Sequence, residues 1–244
     1  MEKFELTYKP FGERSILVEW PQEINEIILQ DVQGFRNKLE NTNDESIVEV
    51  NSSYNSLLVT YEVTINKFYD KFEALKSIYS KKFIDKFKSK VLWRIPVCYD
   101  FEFGTDLVRF SEEKNMSIDE IILCHSDAIY TMYFIGFLPG FLYLGDLNEK
   151  LHLNRKSSPE LYIKKGSVAI GGKQTGIYPQ ASPGGWHIIG NSPLEFFAAR
   201  NEKPCFVSEG DKVQFVPIDL KTYENIKSLV DAGVYVIESE EIDD

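Results

Sequence analysis

From Ala128 to Gly145 the chain reads AIYTMYFIGFLPGFLYLG, without a single charge. An uncharged run of this length either crosses a bilayer as a helix or is buried inside a protein. Pro139-Gly140 falls in its second half, and a lone helix broken there would leave backbone hydrogen bonds unmade in lipid. The Tyr, Phe and Ile content favours extended chain. The run therefore reads as a buried strand, a turn and a second strand, which requires a β-rich core around it.

The rest of the chain can supply that core. Its 244 residues suffice for one large domain or two modest ones, and 43% hydrophobic with 14% aromatic content is ordinary for globular protein. The formal net charge of -11 argues against a nucleic-acid partner, which would need a basic face. Cys98, Cys124 and Cys205 are an odd set without CxxC spacing, as expected of free thiols in a reducing cytoplasm. MEKFELTYKP has no apolar signal region, so no secretion is expected and the NxS sequons at Asn51 and Asn115 read as chance matches.

Short apolar bursts organise the first part. FELTYKP and RSILVEW read as strands joined through a Pro10-Phe11-Gly12 turn. A helical stripe follows at Ile24, Ile27, Ile28, Val32, Phe35 and Leu39. SIVEVN and SLLVTYEV form a hairpin around residues 52–55, and NKFYDKFEALKSIYSKKF is a second amphipathic helix ending in lysines. This order predicts a small α/β sandwich over residues 1–88, ended by the basic bridge KFKSK. After it come the strand WRIPVCY and two short helices, the second with Ser117 as N-cap and Glu120 as capping-box partner. From about 128 onward short strands punctuated by Gly and Pro predict a sandwich or barrel. The helix LKTYENIKSLVDAG and a frayed acidic tail, ESEEIDD, close the chain over residues 221–244.

Several chemistries fail on spacing. A P-loop frame ending at Lys173 puts Ser167 where the first glycine belongs and Gln174 where the hydroxyl belongs. His125, His152 and His187 have no ligand-spaced partners, so no metal site is expected. Ser126 follows His125, but adjacent helical residues diverge by about 100° and do not form a nucleophile-base pair. A lone His125 near a helix end is more simply a satisfied histidine than an acid/base catalyst.

Two stretches share a physical character. In GFLPGFLYLGDL, Pro139 and Gly140 sit in a turn while Phe137, Phe141 and Tyr143 offer flat apolar walls. In GGKQTGIYPQASPGGWHIIGNSP, Gln174, Thr175, Tyr178 and Ser182 offer hydrogen bonds beside Gly184 and Trp186. Such walls suit a small, planar, polar ligand. Tight barrel corners would produce the same clustering of Gly and Pro, and spacing alone weighs the two readings equally.

On these stretches the chain resembles the KipI family, whose members include the B subunit of bacterial 5-oxoprolinase, allophanate hydrolase subunit 1 and inhibitors of a sporulation histidine kinase. The likeness extends in pattern over most of residues 90–217 and includes LCHSDAIYTMYFIGF. It implies an α+β protein, with a small N-terminal α/β domain and a cyclophilin-like β-barrel domain over 89–220. It also implies two partners, an A subunit and a KipA-like C subunit. The complex would convert 5-oxo-L-proline to L-glutamate, with phosphorylation of the lactam oxygen by ATP preceding ring opening. ATP would be used at the level of the complex, since no ATP motif is evident in this chain.

The resemblance has departures. The family has Pro-Arg pairs where this chain has Asn154-Arg155 and Pro159-Glu160, Val-Pro-Ala where it has Ile163-Lys164-Lys165, and GRTP where it has Gly190-Asn191-Ser192-Pro193. Losing cations at 160 and 191 weakens capture of a carboxylate or phosphate; Arg155 is retained.

Three functions follow. As part of an oxoprolinase, inactive alone, the chain would orient substrate with Gln174, Thr175, Tyr178, Ser182 and Arg155, wall it with Phe141 and Trp186, and move protons through His125. As a regulator it would dock on a sensor histidine kinase. A peptidyl-prolyl isomerase rests on fold analogy alone.

Overall fold

The computed structural model describes residues 4–42, 44–81 and 89–242, and the chain divides into two units, Met1–Lys88 and Ser89–Asp244. The N-terminal unit holds β1 (Thr7–Phe11), β2 (Ser15–Glu19), α1 (Glu26–Glu40), β3 (Ile47–Ser52), β4 (Ser56–Tyr61) and α2 (Phe68–Ser80). Its strands form one antiparallel sheet in the order β1-β2-β4-β3. Alternation on β2 and β4 sends Ile16, Val18, Leu57, Val59 and Tyr61 to one face, where Val32 and Phe35 of α1 and Leu75 of α2 cover them. The anticipated turn at Pro10-Phe11-Gly12 lies further on. Pro10 pairs with Ile16 inside β1, which is tolerated because β1 is an edge strand and no bond is lost on its open side. Gly12, at φ +64°, begins the turn. The stripe read for α1 also shifts: Leu29 is buried, whereas Ile27 is 64% exposed. Residues 82–88, including most of the basic bridge, lie outside the described residues.

The second unit contains β5 (Lys90–Cys98), α3 (Leu107–Lys114), α4 (Ile118–Ser126), β6 (Ile129–Ile135), β7 (Leu142–Leu144), β8 (Glu160–Ile163), β9 (Ser167–Gly171), β10 (Gln174–Ile177), β11 (Ser182–Gly184), β12 (His187–Asn191), β13 (Lys212–Ile218), α5 (Leu220–Asp231) and β14 (Ser239–Ile242). The charge-free run is the hairpin β6–β7, and the capping box of Ser117 and Glu120 starts α4. Seven strands run β12-β9-β10-β7-β6-β13-β5 and close into a barrel through Asn191 of β12 and Cys98 of β5. Closure needs a close approach of backbones. A Cβ on Gly190 would lie 2.8 Å from Val97 Cγ1 and 2.9 Å from Cys98 O, so only glycine fits there. Inside the barrel Ile95, Tyr130, Met132, Leu144, Val168, Ile189 and Phe215 share one core. Each such side chain stabilises by about 1.5–3 kcal/mol relative to exposure.

The chain's last segment departs from the frayed tail read in the sequence. Ser239–Ile242 pairs antiparallel with Lys90–Trp93 of β5. The Arg94 N–H donates to Glu238 O at 3.0 Å, and its guanidinium meets the carboxylates of Glu238 and Glu240 at 3.2 and 3.3 Å. The described residues 221–242 thus belong with the barrel unit, because the open edge of β5 offers backbone partners that a charge-based reading does not see. Ending the chain at Gly233 removes these bonds and bares that edge. The expected result is a folded protein whose calorimetric midpoint drops by about 3–6 °C; an unchanged midpoint would show that β14 contributes nothing.

Candidate functional site

The barrel wall is apolar on both sides where β7, β10, β9 and β12 run together. Along β9, Val168 and Ile170 point inward and Ala169 outward; along β12, Ile189 points inward and Ile188 outward. On the outer face Ala169, Ile188 and Tyr143 meet Phe141, Tyr178, Trp186 and Ile163 in a second apolar cluster. Small residues make this possible. A Cβ on Gly171 would lie 2.6 Å from the indole of Trp186, and one on Gly176 would lie 2.9 Å from Phe141 Cε1. The indole and the Phe141 ring therefore rest directly on strand backbone.

The rings stand edge to face, the arrangement their quadrupoles favour. Phe141 is 5.5 Å from Trp186 at 89° and 5.1 Å from Tyr178 at 88°. The stretch between β10 and β12 lies over them, and Gly184 is needed because a Cβ there would fall 2.2 Å from the Tyr178 hydroxyl. Arg155 is exposed, with its guanidinium carbon 5.4 Å from the Trp186 ring centre, a cation–π arrangement. Burial pushes the Tyr178 phenol up to about 12 against the opposing pull of the Trp186 N–H and Arg155. Burial raises Tyr143 as well, with Arg155 acting against it. Both phenols are therefore neutral hydroxyls at physiological pH. Together these groups form an aromatic shelf in which Phe141, Tyr178 and Trp186 are packed at 1%, 2% and 4% exposure, and the exposed Arg155 guanidinium stands beside the indole as its one cation.

The residues read from the sequence divide between two places. Phe141, Tyr178, Gly184, Trp186 and Arg155 meet at the shelf. Gly140 anchors the turn before it, at φ +83° and backed onto Phe197, while Pro139 is exposed. Gln174, half-buried, opens β10 opposite Gly171. Ser182 is buried and turns its hydroxyl to Pro183 O at 3.2 Å. Thr175 points the other way, into the barrel, on the same side of β10 as Ile177.

His125 is inside as well, fully buried. Its ring stacks on Phe215 at 4.5 Å. Nδ1 lies 2.8 Å from the Tyr99 hydroxyl and Nε2 2.9 Å from Thr175 Oγ1. Thr175 Oγ1 donates onward to Ala169 O at 3.0 Å, so it accepts from Nε2–H, and Nδ1 accepts from Tyr99. This network assigns the tautomer and leaves neither nitrogen free. Burial lowers the His125 pKa from 6.5 to about 3, holding the ring neutral. The His125 reading as a proton carrier for bound substrate meets this obstacle directly, and the satisfied-histidine reading fits the geometry.

Sequence reasoning missed an ionic cluster beside the shelf. The Lys156 side chain, 7% exposed, bonds Asp106 Oδ2 at 2.6 Å and also pairs with Glu160. Asp106 Oδ2 accepts from Ile188 N–H at 2.6 Å. A buried lysine held by two carboxylates ties β8 to β12, and removing one partner would strand a charge. The four-residue spacing of Lys156 and Glu160 was a visible signal; Asp106, fifty residues away, had none. His187 is also buried, with Nε2–H on Asn154 O at 2.8 Å and, among the described residues, no hydrogen-bond partner for Nδ1. A cavity of about 500 Å³ opens within the N-terminal unit beside Tyr61, Ile65 and Lys71, but it contains none of the residues singled out above, and the chemistry of the shelf is the stronger guide.

The fold defines a two-part α+β protein whose closed barrel carries an aromatic cluster on its outer face. A family model described as "Carboxyltransferase domain, subdomain C and D" matches residues 6–207. The chain belongs to this family, together with proteins named as B subunits of 5-oxoprolinase. It is 33% identical over 226 residues to the 5-oxoprolinase B subunit of Bacillus subtilis (strain 168), covering 88% of this chain and 94% of that protein. With the Haemophilus influenzae protein of the same name it shares 34% over 207 residues, covering 85% and 95%. The solved structure of TTHA0988 superposes with a TM-score of 0.71 at 26% identity, covering 84% of this chain and 40% of that one. The Kluyveromyces lactis urea carboxylase structure has the same fold, with a TM-score of 0.82 at 20% identity over 98% of this chain and 24% of that one.

The close seat of the indole and the buried imidazole can each be tested. Gly171→Ala forces Trp186 off its strand; the expected cost is about 1–3 kcal/mol in urea unfolding, with altered tryptophan emission, and a neutral substitution would show that the indole has room. For His125, the folded pKa of about 3 lies below the ordinary 6.5. The unfolded chain therefore binds the extra proton first as pH falls. Stability from this group is complete above about pH 6.5 and declines by about 1.4 kcal/mol per unit toward pH 3. Urea denaturation from pH 7 to 4 should show a shallower slope for His125→Gln than for the natural chain; equal slopes would place the imidazole in a solvated setting.

Proposed function

We propose that this chain is the B subunit of an ATP-dependent 5-oxoprolinase that acts with an A subunit and a KipA-like C subunit to convert 5-oxo-L-proline to L-glutamate, and that the complex is cytoplasmic. The observation that carries this reading is the 33–34% identity with two proteins named as B subunits of 5-oxoprolinase over 85–88% of the chain. The shelf supports it chemically. 5-Oxoproline is a small, flat lactam with one carboxylate, and the exposed Arg155 guanidinium, seated on the packed Trp186 ring, is a cation suited to that carboxylate. Gln174 and the neutral Tyr178 hydroxyl are the groups assigned to orient the amide, with Ser182 and Gly184 shaping the cover.

His125 and Thr175 act from behind the wall, bracing β10 through the Tyr99–His125–Thr175–Ala169 chain of bonds. ATP supplies the driving force at the level of the complex. Lys173 is exposed beside Gly172, in the turn between β9 and β10. What this chain contributes is binding, orientation and exclusion of water on one side of the substrate. Purified alone it should release no glutamate from 5-oxoproline, and mixing with the A and C subunits should restore ATP-dependent release. In that complex Arg155→Ala should raise KM for 5-oxoproline by about tenfold, with partial recovery in Arg155→Lys. A wild-type complex that leaves 5-oxoproline intact, while a homologous complex consumes it, refutes the assignment.

A further inference from the structure

Phe137 is a bulky residue in a backbone conformation suited to glycine. Its φ is +60°, in the left-handed region where a Cβ crowds the following carbonyl. It is the middle residue of a three-residue turn in which Leu138 N–H donates to Gly136 O at 2.6 Å. Turns of this kind with a positive central φ are rare and strained. The turn is tied down on both sides. Gly136 N–H reaches Phe141 O at 3.3 Å, Phe141 N–H reaches Leu138 O at 3.0 Å, and Gly140 backs against Phe197.

Strain of this sort persists where the surrounding structure over-determines it, as these bonds and packing do, and a buried side chain can add to that. Here the side chain is 62% exposed. The ring stands nearly perpendicular to two rings of the shelf, its centre 5.7 Å from that of Phe141 at 85° and 6.5 Å from that of Tyr178 at 88°. Burial therefore does not offset the conformational cost, and glycine would make the same turn without it. The exposed ring, standing nearly perpendicular to Phe141 and Tyr178, is the feature that glycine would lose.

We propose that Phe137 is a substrate-contacting, specificity-determining residue of the shelf: the strained turn holds its ring as a side wall against which a small planar amide ring packs. This rests on the 5-oxoprolinase reading above. The ring selects for flatness, because a puckered or bulkier amide would lose face contact with Phe137 while keeping its carboxylate on Arg155.

Three variants in the full chain separate strain from contact. Phe137→Ala removes the ring and keeps a Cβ in the left-handed region; Phe137→Gly removes both; Phe137→Tyr keeps the ring. Free chains are melted, and complexes reconstituted with the A and C subunits are assayed for 5-oxoproline turnover. The expected result is that Phe137→Gly melts above Phe137→Ala, that both raise KM by about tenfold with a smaller change in kcat, and that Phe137→Tyr stays near the natural KM. Equal melting of Phe137→Gly and Phe137→Ala overturns the strain argument, and an unchanged KM in both overturns the contact. If the natural complex turns over 5-oxoproline and these KM values do not move, only this inference fails. If the natural complex is inert, the reaction assignment fails and this inference with it.

Discussion

Burial of one barrel wall on both faces is the constraint on which the rest of the second unit depends. Every residue of β9 and of β12 is buried, since the inner side chains fill the barrel and the outer ones lie under the aromatic cluster. Strands in that position lose the usual alternation of apolar and polar residues and read as continuous apolar runs. The charge-free stretch from Ala128 to Gly145 has the same cause, with β6 and β7 entering the same wall. Double burial also dictates residue size. Aromatic rings cannot lie on a strand whose outward positions carry large side chains, so Ala169, Gly171 and Gly176 alternate with the inward Val168, Ile170 and Ile177.

That pairing of glycine with aromatic residues explains what was legible in the sequence and what was not. The strand-turn-strand unit, the α4 capping box and the grouping of Phe141, Tyr178 and Trp186 were readable because each has a local cause: a turn at Pro139-Gly140, a three-residue cap spacing, a dense run of Gly beside rings. Which way Thr175 faces was not readable. Gln174, Thr175 and Tyr178 look alike as polar residues in one stretch, but period-2 geometry sends Thr175 inward with Ile177. His125 was ambiguous for a similar reason, because its partners Tyr99 and Thr175 are distant in sequence and meet it only through barrel closure. The tail failed differently. Seven residues with five acidic ones suggest a solvated end, and nothing local reveals that β5 has an open edge for residues 239–242.

The departures from the resembled family's pattern have visible structural settings. At position 160 that pattern has a cation, whereas here Glu160 pairs with a lysine four residues earlier, Lys156. Lys156 is then neutralised twice, by Glu160 and by Asp106, and has no charge left for a substrate. At position 191 the amide side chain is fully used: Nδ2 donates to Lys165 O at 2.9 Å and Oδ1 accepts from the Tyr223 hydroxyl at 2.8 Å. Asn191 thus fastens α5 and the loop before β9 to the closure point of the barrel, a task incompatible with reaching out for an anion.

His125 and Phe137 show how the fold separates stability from contact. His125 sits behind β10 with both nitrogens satisfied and its ring stacked, so its energy goes into holding the wall still. Phe137 stands in front of the same wall, exposed and in a conformation that costs free energy. Such a cost is bearable only where the surroundings are rigid, because a mobile turn would relax out of it. The rigidity comes from Gly140 packed on Phe197, from the hairpin bonds to Phe141, and from strands β7 and β10 pinned on both faces. The doubly buried wall therefore does more than keep the barrel closed. It provides the fixed backing against which one aromatic ring can be held out of its preferred geometry and offered to a ligand.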